Sequence, residues 1–185
     1  MGLEATEVRV AGAGHVYVAP AGTALPEDLG ALPVDFVDLG YVTTDGCTFT
    51  LNRETTNVDA WQGSKLRVLV TDDPVSVKFA LMQSNADTFE VAFGGGEVTE
   101  PSPGVYKYSP PAKGENAERV LVIDGIDGDV TYRFVFARVQ IEDSVEFALS
   151  RTAATTYPIP FGVLDNGDED KWFLLSDDEA LAVGS

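Results

Sequence analysis

The sequence predicts one mainly β domain with a single short flanking α-helix. Three observations carry this reading. Apolar and polar residues alternate in segment after segment, glycines and prolines separate those segments, and helical spacing with a cap occurs only at residues 84–94. At 185 residues and 44% hydrophobic content the chain can build one sizeable core and is short for two. No internal repeat or interdomain linker is visible, so residues 1–185 read as one domain.

Residues 14–19 (GHVYVA) set Val16 and Val18 against His15 and Tyr17, the pattern of a strand. Residues 20–33 hold three prolines and two glycines and read as a surface loop, after which an extended path resumes at 36–41. In 44–52 (TDGCTFTLN), Cys47, Phe49 and Leu51 share one face, while Thr48, Thr50 and Asn52 form an uncharged, hydroxyl-rich opposite face. Residues 52–64 (NRETTNVDAWQGS) keep no period and read as a loop of about a dozen residues, longer than most hairpin connections. Residues 66–71 and 75–83 are strands joined at Asp72-Asp73-Pro74, and Val75, Val77, Phe79 and Leu81 form one apolar face of the second.

Ser84 or Asn85 supplies the helix cap, Asp87 suits the positive first turn, and Ala86, Phe89 and Phe93 fall on one face. Gly94 to Gly96 terminate the helix, and so short a helix needs Phe89 and Phe93 to dock it on the sheet. Residues 105–108 alternate between proline-rich flanks. Residues 119–126 and 130–140 form a hairpin around Asp127-Gly128, with Tyr132, Phe134 and Phe136 on one face. Residues 144–150 alternate Val145, Phe147 and Leu149 against Glu146 and Ala148, again a strand. Residues 155–164 alternate too, but Pro158 and Pro160 confine them to an edge or a bulged strand. A turn at 165–170, a short strand at 171–175 and a polar end follow.

The formal net charge of −18 opposes binding to a nucleic-acid backbone, and no local basic patch relieves it. Residues 139–185 are the most acidic part, with ten acids against Arg151 and Lys171, a net of −8. One cysteine excludes an internal disulfide framework and a cysteine metal cluster, and Cys47 reads as a small core residue. Residues 1–10 lack the apolar stretch of a secretory signal, and no apolar run approaches the ~18 residues of a membrane span. The expectation is a soluble chain made in a reducing cytosol.

Catalytic readings are weak. His15 is the sole histidine, so any histidine-based relay must pass through it, and it sits in an ordinary strand with no nucleophile signature beside it. Gly94 to Gly96 follow a helix, whereas phosphate-binding glycines precede one. The acids of 165–170 miss the spacing of a calcium loop, and Asp124, Asp127 and Asp129 are hairpin chemistry. Thirty acids guarantee chance pairs at glycosidase spacing, and nothing singles one out. Trp61, Tyr106, Tyr108 and Trp172 either make a carbohydrate platform or anchor loops. Trp61, within a polar loop, either pins that loop to its own sheet or buries itself in another subunit. No cofactor or metal site is expected, and a self-assembling shell component fits better than an enzyme.

The order strand, long polar loop, strand, proline turn, strand, capped helix and glycine stop resembles the major tail proteins, or tail tube proteins, of long-tailed siphophages, those of actinobacteriophages in particular. GHVYVAPAGTALP (14–26), FVDLGYVTTDG (36–46), the tryptophan-bearing loop with 66–71, SNADTFEVAFGGG (84–96) and RTAATTYPIPFGVLDN (151–166) carry the resemblance. It implies a β-sandwich or partial barrel with one flanking helix. Six copies would form a ring whose inner strands complete a continuous β-barrel, and rings would stack into a tube that conducts the genome during ejection. Some such proteins append an immunoglobulin-like C-terminal domain, for which too little chain follows Trp172.

The same resemblance implies partners and sites. The partners would be the chain itself, a tape measure protein, a tail terminator and distal tail proteins. Double-stranded DNA would pass without specific binding, and no membrane would be involved. The location would be the virion tail, after synthesis in the bacterial cytoplasm. Six copies at −18 place about −108 on each ring, which favours a lumen that repels phosphates. The expected lumen residues are Asp45, Thr48, Thr50, Asn52, Glu142, Ser144 and Glu146, with the outer wall as their alternative place. Residues 52–64 would reach the adjacent ring through Arg53, Glu54, Asn57, Asp59, Trp61 and Gln62, and residues 1–13 and 165–185 would lie against neighbours. The competing readings are a carbohydrate-binding or adhesin β-sandwich, a glycoside hydrolase behind it, and a head decoration protein or tail terminator.

Overall fold

In the computed structural model, which describes residues 7–61, 63–167 and 169–182, twelve strands and one helix make a mainly β domain. In chain order they are β1 (Ala13–Pro20), β2 (Val37–Asp38), β3 (Thr48–Leu51), β4 (Glu54–Ala60), β5 (Gly63–Asp72), β6 (Val75–Leu81), α1 (Ala86–Ala92), β7 (Glu97–Ser102), β8 (Val105–Ser109), β9 (Arg119–Asp127), β10 (Val130–Ile141), β11 (Tyr157–Val163) and β12 (Trp172–Ser176). The main sheet is antiparallel in the order β2-β1-β9-β10-β11-β6-β3, with β12 also paired to β10. β4–β5 and β7–β8 are separate hairpins.

The main sheet folds over itself in the manner of a β-sandwich. Val16, Val18, Leu121, Ile123 and Phe136 from one half share a core with Val77, Phe79, Leu81, Ile159 and Phe161 from the other. The alternate residues Ala19, Val120, Val122 and Val135 form a second core with Phe36, and Leu25 and Leu32 of the preceding loop pack against it. Period-two alternation fixes both sets, because successive side chains leave a strand on opposite faces.

β10 serves both halves through a bulge between Phe136 and Val139. One extra residue reverses the phase of the side chains, so Phe134 and Phe136 face the main core before it, and Val139 and Ile141 face that core after it. Arg138 is thereby turned outward, where its guanidinium donates to Glu118 at 2.8 and 3.0 Å.

Four elements depart from the sequence reading. Residues 52–64 are not a loop, because β4 pairs with β5 in a hairpin that turns at Trp61. Glu54, Thr55, Thr56, Asn57 and Asp59 of β4 are all exposed, so burial imprinted no period on these residues. Residues 144–150 alternate like a strand yet form none. β11 is not an edge strand, since it lies between β10 and β6. It tolerates proline because β10 pairs only with its last residues, 161–163, and the ring nitrogens of Pro158 and Pro160 point to the flank that β10 has left. β7 was hidden by Pro101, its glutamates and a fully exposed surface.

Asn85, not Ser84, caps α1, accepting from the Thr88 amide at 2.8 Å, while the Ser84 hydroxyl bonds the Tyr157 hydroxyl at 2.9 Å. Ala86 is exposed, and Thr88, Val91 and Ala92 carry the buried face. Phe89 docks the helix on Tyr157 of β11 and Tyr108 of β8, with ring centroids 5.4 and 5.6 Å away. The chain leaves the helix through three glycines of positive φ; at Gly96 (φ 97°) a Cβ would collide with the Ser109 carbonyl, so only glycine lets β7 start there.

Candidate assembly surfaces

The half of the sheet made by β10, β11, β6 and β3 buries one face and leaves the other polar. Register across it aligns Gln140, Gly162, Ser76 and Thr50 in one row facing away from the core, with Gly162 buried beneath the Glu142 side chain. The next row holds Glu142, Pro160, Lys78 and Thr48, since the Glu142 amide donates to the Pro160 carbonyl at 3.1 Å. Asn52 continues the ladder, its amide donating to the Pro74 carbonyl at 3.0 Å. Thr48, Thr50, Asn52 and Glu142 are therefore gathered on one surface.

Asp45 instead sits in the exposed turn before β3, and Ser144 and Glu146 lie in the irregular segment after β10. Ser76, Lys78 and Gln140 belong to the polar face and escaped the sequence reading. The first two were legible as the polar phase of β6, whereas the bulge concealed the third. Small hydroxyls with one lysine and one glutamate give this face little net charge.

The β4–β5 hairpin stands away from this sheet. Arg53, Glu54, Asn57 and Asp59 are exposed on it, and Gln62 lies outside the described residues. Trp61 at its turn is 102% exposed, so the indole does not pin the hairpin to its own sheet. Leu66, Val68, Leu69 and Val70 are also exposed, and ten residues of β5 span about 33 Å. A lone hairpin with so much apolar surface is marginal in water unless something covers it.

Arginines hold the surrounding frame. Arg133 donates to both oxygens of Asp124 at 2.8 and 2.7 Å, both side chains being less than 10% exposed. Its remaining nitrogen donates to the carbonyls of Asp28 and Gly30 at 3.0 and 2.8 Å, which clamps the 20–36 loop over the second core. Arg119 reaches Glu90 of α1 at 2.8 Å.

The two ends of the domain are tied by Arg9, which donates to both oxygens of Asp178 at 2.8 and 2.6 Å. The Tyr132 hydroxyl donates to the same carboxylate, and the Ala180 amide does so at 3.0 Å. These donors hold the Asp178 carboxyl well below the usual range, Arg9 first among them, and the pairing holds the Arg9 guanidinium above its own. A carboxyl shifted downward adds stability that is complete above its unfolded pKa of about 4 and fades only as pH falls toward the folded value. The tie therefore stays closed from neutral pH into mild acid. Asp178→Asn is expected to expose the bond after Arg9 to trypsin at neutral pH while leaving the cooperative unfolding transition in place. Unchanged cleavage would remove Asp178 as the anchor.

Among the described residues, the remaining groups form no reactive constellation. Burial pushes the Cys47 thiol up to about 11, so it stays protonated at neutral pH. His15 Nδ1 lies 3.1 Å from Asp38 on an exposed strand face. The four aromatics are dispersed: Trp61 tips the hairpin, Tyr106 is exposed, the Tyr108 hydroxyl donates to the Gly95 carbonyl at 2.6 Å, and Trp172 stacks 6.3 Å from Phe136. They make no common platform. Among the described residues no helix is long and apolar enough to cross a membrane.

Comparison with known proteins bears on what such surfaces serve. The family model described as phage tail tube protein matches residues 1–184. The chain is similar to Major tail protein Gp23 of Mycobacterium phage D29, at 28% identity over 187 aligned residues covering 92% of this chain and 91% of the relative. It is also similar to Major tail protein Gp23 of Mycobacterium phage L5, at 26% identity over 186 residues with the same coverage.

Proposed function

The chain belongs to the phage tail tube protein family and is a structural component of the phage tail, and on that premise we propose that six copies close into a ring and that rings stack into the tube. The single domain of residues 1–185 is the repeating unit. The polar face of β3, β6, β11 and β10 lines the channel, and the open edge of β3 takes part in closing a continuous β-barrel, which removes edges that a lone subunit leaves exposed. Thr48, Thr50, Asn52 and Glu142 line the lumen; Asp45, Ser144 and Glu146 lie at its margins. DNA passes such a wall without specific binding, because small hydroxyls dominate it and the cation it carries, Lys78, is offset by Glu142 in the same row.

The β4–β5 hairpin reaches the adjacent ring through Trp61, with Arg53, Glu54, Asn57, Asp59 and Gln62 around it. Residues 1–13 and 165–185 contact neighbouring copies, and residues 84–94 support the wall from outside. The tape measure protein, tail terminator and distal tail proteins are the remaining partners. The observation that carries this reading is a hydroxyl-rich open sheet face beside an uncovered hairpin, in a chain of this family.

Electron cryomicroscopy of purified protein at increasing concentration tests it. Stacked six-fold rings with Thr48, Thr50 and Glu142 on the inner wall are the expected result. A protein that stays monomeric and shields its aromatics when oligosaccharide is added would overturn it. Rings that place those residues on the outer wall would overturn the lumen assignment alone.

A further inference from the structure

We propose that residues 144–150 are an unpaired strand, and that it forms when a second copy of this chain presents the open edge of β3. The inference rests on the ring reading above and names the contact that closes it.

Proline in the neighbouring strand keeps this segment from pairing at home. The Glu142 amide donates to the Pro160 carbonyl, so residue 142 lies opposite 160, and 144 would lie opposite 158. The carbonyls of residues 142 and 144 would need amide donors from Pro160 and Pro158, which have none. The chain accordingly leaves β11 and runs without strand structure from 142 to 156. Its alternation is intact nonetheless: Val145, Phe147 and Leu149 against Ser144, Glu146, Ala148 and Ser150. Phe147 is 42% exposed and Leu149 83%, which is surface that a strand of this pattern ordinarily buries. Phe147 packs tilted against Tyr157, ring centroids 5.3 Å apart, so the segment stays on the β11 flank.

Charge and position on the main sheet together select the partner edge. In a chain of −18, residues 48–52 (TFTLN) carry none. The segment brings Asp143 and Glu146, and opposing carboxylates across a strand pair are unfavourable. The acidic edges are poorer: β2 is two residues long and includes Asp38, β4 carries Glu54 and Asp59, β7 presents Glu97, Glu100 and Pro101, and β12 is half-buried between Asp170 and Asp177. β5 and β8 carry Arg67 and Lys107 but belong to separate hairpins rather than to the sheet that holds the segment. β3 pairs only with β6, and its Leu51 is 60% exposed, an apolar neighbour for Leu149. The segment and β3 lie on opposite flanks of β11 and β6, so one copy's segment against the next copy's β3 is a head-to-tail contact, the kind that closes into rings.

Amide hydrogen exchange on free and assembled protein tests the contact. Residues 144–150 and 48–51 are expected to exchange about tenfold slower or more once assembled. Assembled tubes in which 144–150 exchange as in the free subunit would overturn the proposal, and protection of 144–150 without 48–51 would overturn the choice of β3. A protein that never assembles overturns the ring reading and this contact with it. Ala148→Pro supplies an independent arm: assembly is expected to be lost with the subunit's unfolding transition unchanged, and full tube yield from that variant refutes the strand.

Discussion

Replacing Arg133 with alanine is expected to cost the subunit about 3–5 kcal/mol, because Asp124 would be left as a buried charge without its partner. The effect has two sources. One is the uncompensated carboxylate, 8% exposed between β9 and β10. The other is release of the Asp28 and Gly30 carbonyls, which frees the loop that covers Val122, Val135 and Phe36. Urea denaturation read by tyrosine and tryptophan fluorescence measures the first. Proteolysis within residues 20–36 reads the second. The double variant Arg133→Met with Asp124→Leu should recover most of the loss, since a buried ion pair is often worth no more than apolar residues of its size. A single variant within about 1 kcal/mol of wild type would show the pair to be dispensable.

Trp61→Ala is expected to act in the opposite way, sparing the subunit and disabling the tube. The side chain is fully exposed, so unfolding free energy should move by no more than about 0.5 kcal/mol. A buried interfacial tryptophan contributes about 2 kcal/mol or more, about 30-fold in affinity for each contact. Six such contacts between consecutive rings would raise the concentration needed for elongation steeply. Length distributions by negative-stain microscopy at matched concentration measure this. Unchanged tube length and yield would remove Trp61 from ring stacking.

What the sequence disclosed depended on burial. β6 was legible because Val75, Val77, Phe79 and Leu81 all face the core, and that contact writes the alternation. β1, β9 and β10 were legible for the same reason, and the family resemblance, resting on the order of such segments, agrees with the matched tail tube family. β4 and β7 were not, because exposed strands leave no period to read. The turn after β9 falls at Gly128-Asp129, one residue beyond the expected pair, because either dipeptide supplies turn chemistry. The opposite error occurred at 144–150, where a genuine alternation has no partner strand within one chain. Of the residues on the polar sheet face, Thr48 and Thr50 were legible by their uncharged pattern, whereas Gln140 was hidden by the bulge in β10.

The continuity of β10 has a mechanical consequence. The strand runs from Tyr132, which grips the Asp178 carboxylate joining the chain's ends, to Ile141 beside the polar face, without a break in the backbone. Tension applied at either terminus passes through the Arg9–Asp178–Tyr132 contacts to β10, whose covalent backbone carries it along the strand axis. The hydrogen bonds to β9, β11 and β12 flank that axis, so they are loaded together in shear rather than unzipped one by one. A structural component of a phage tail gains stiffness from such a member, and the phase reset at Phe136–Val139 lets one rod brace both layers.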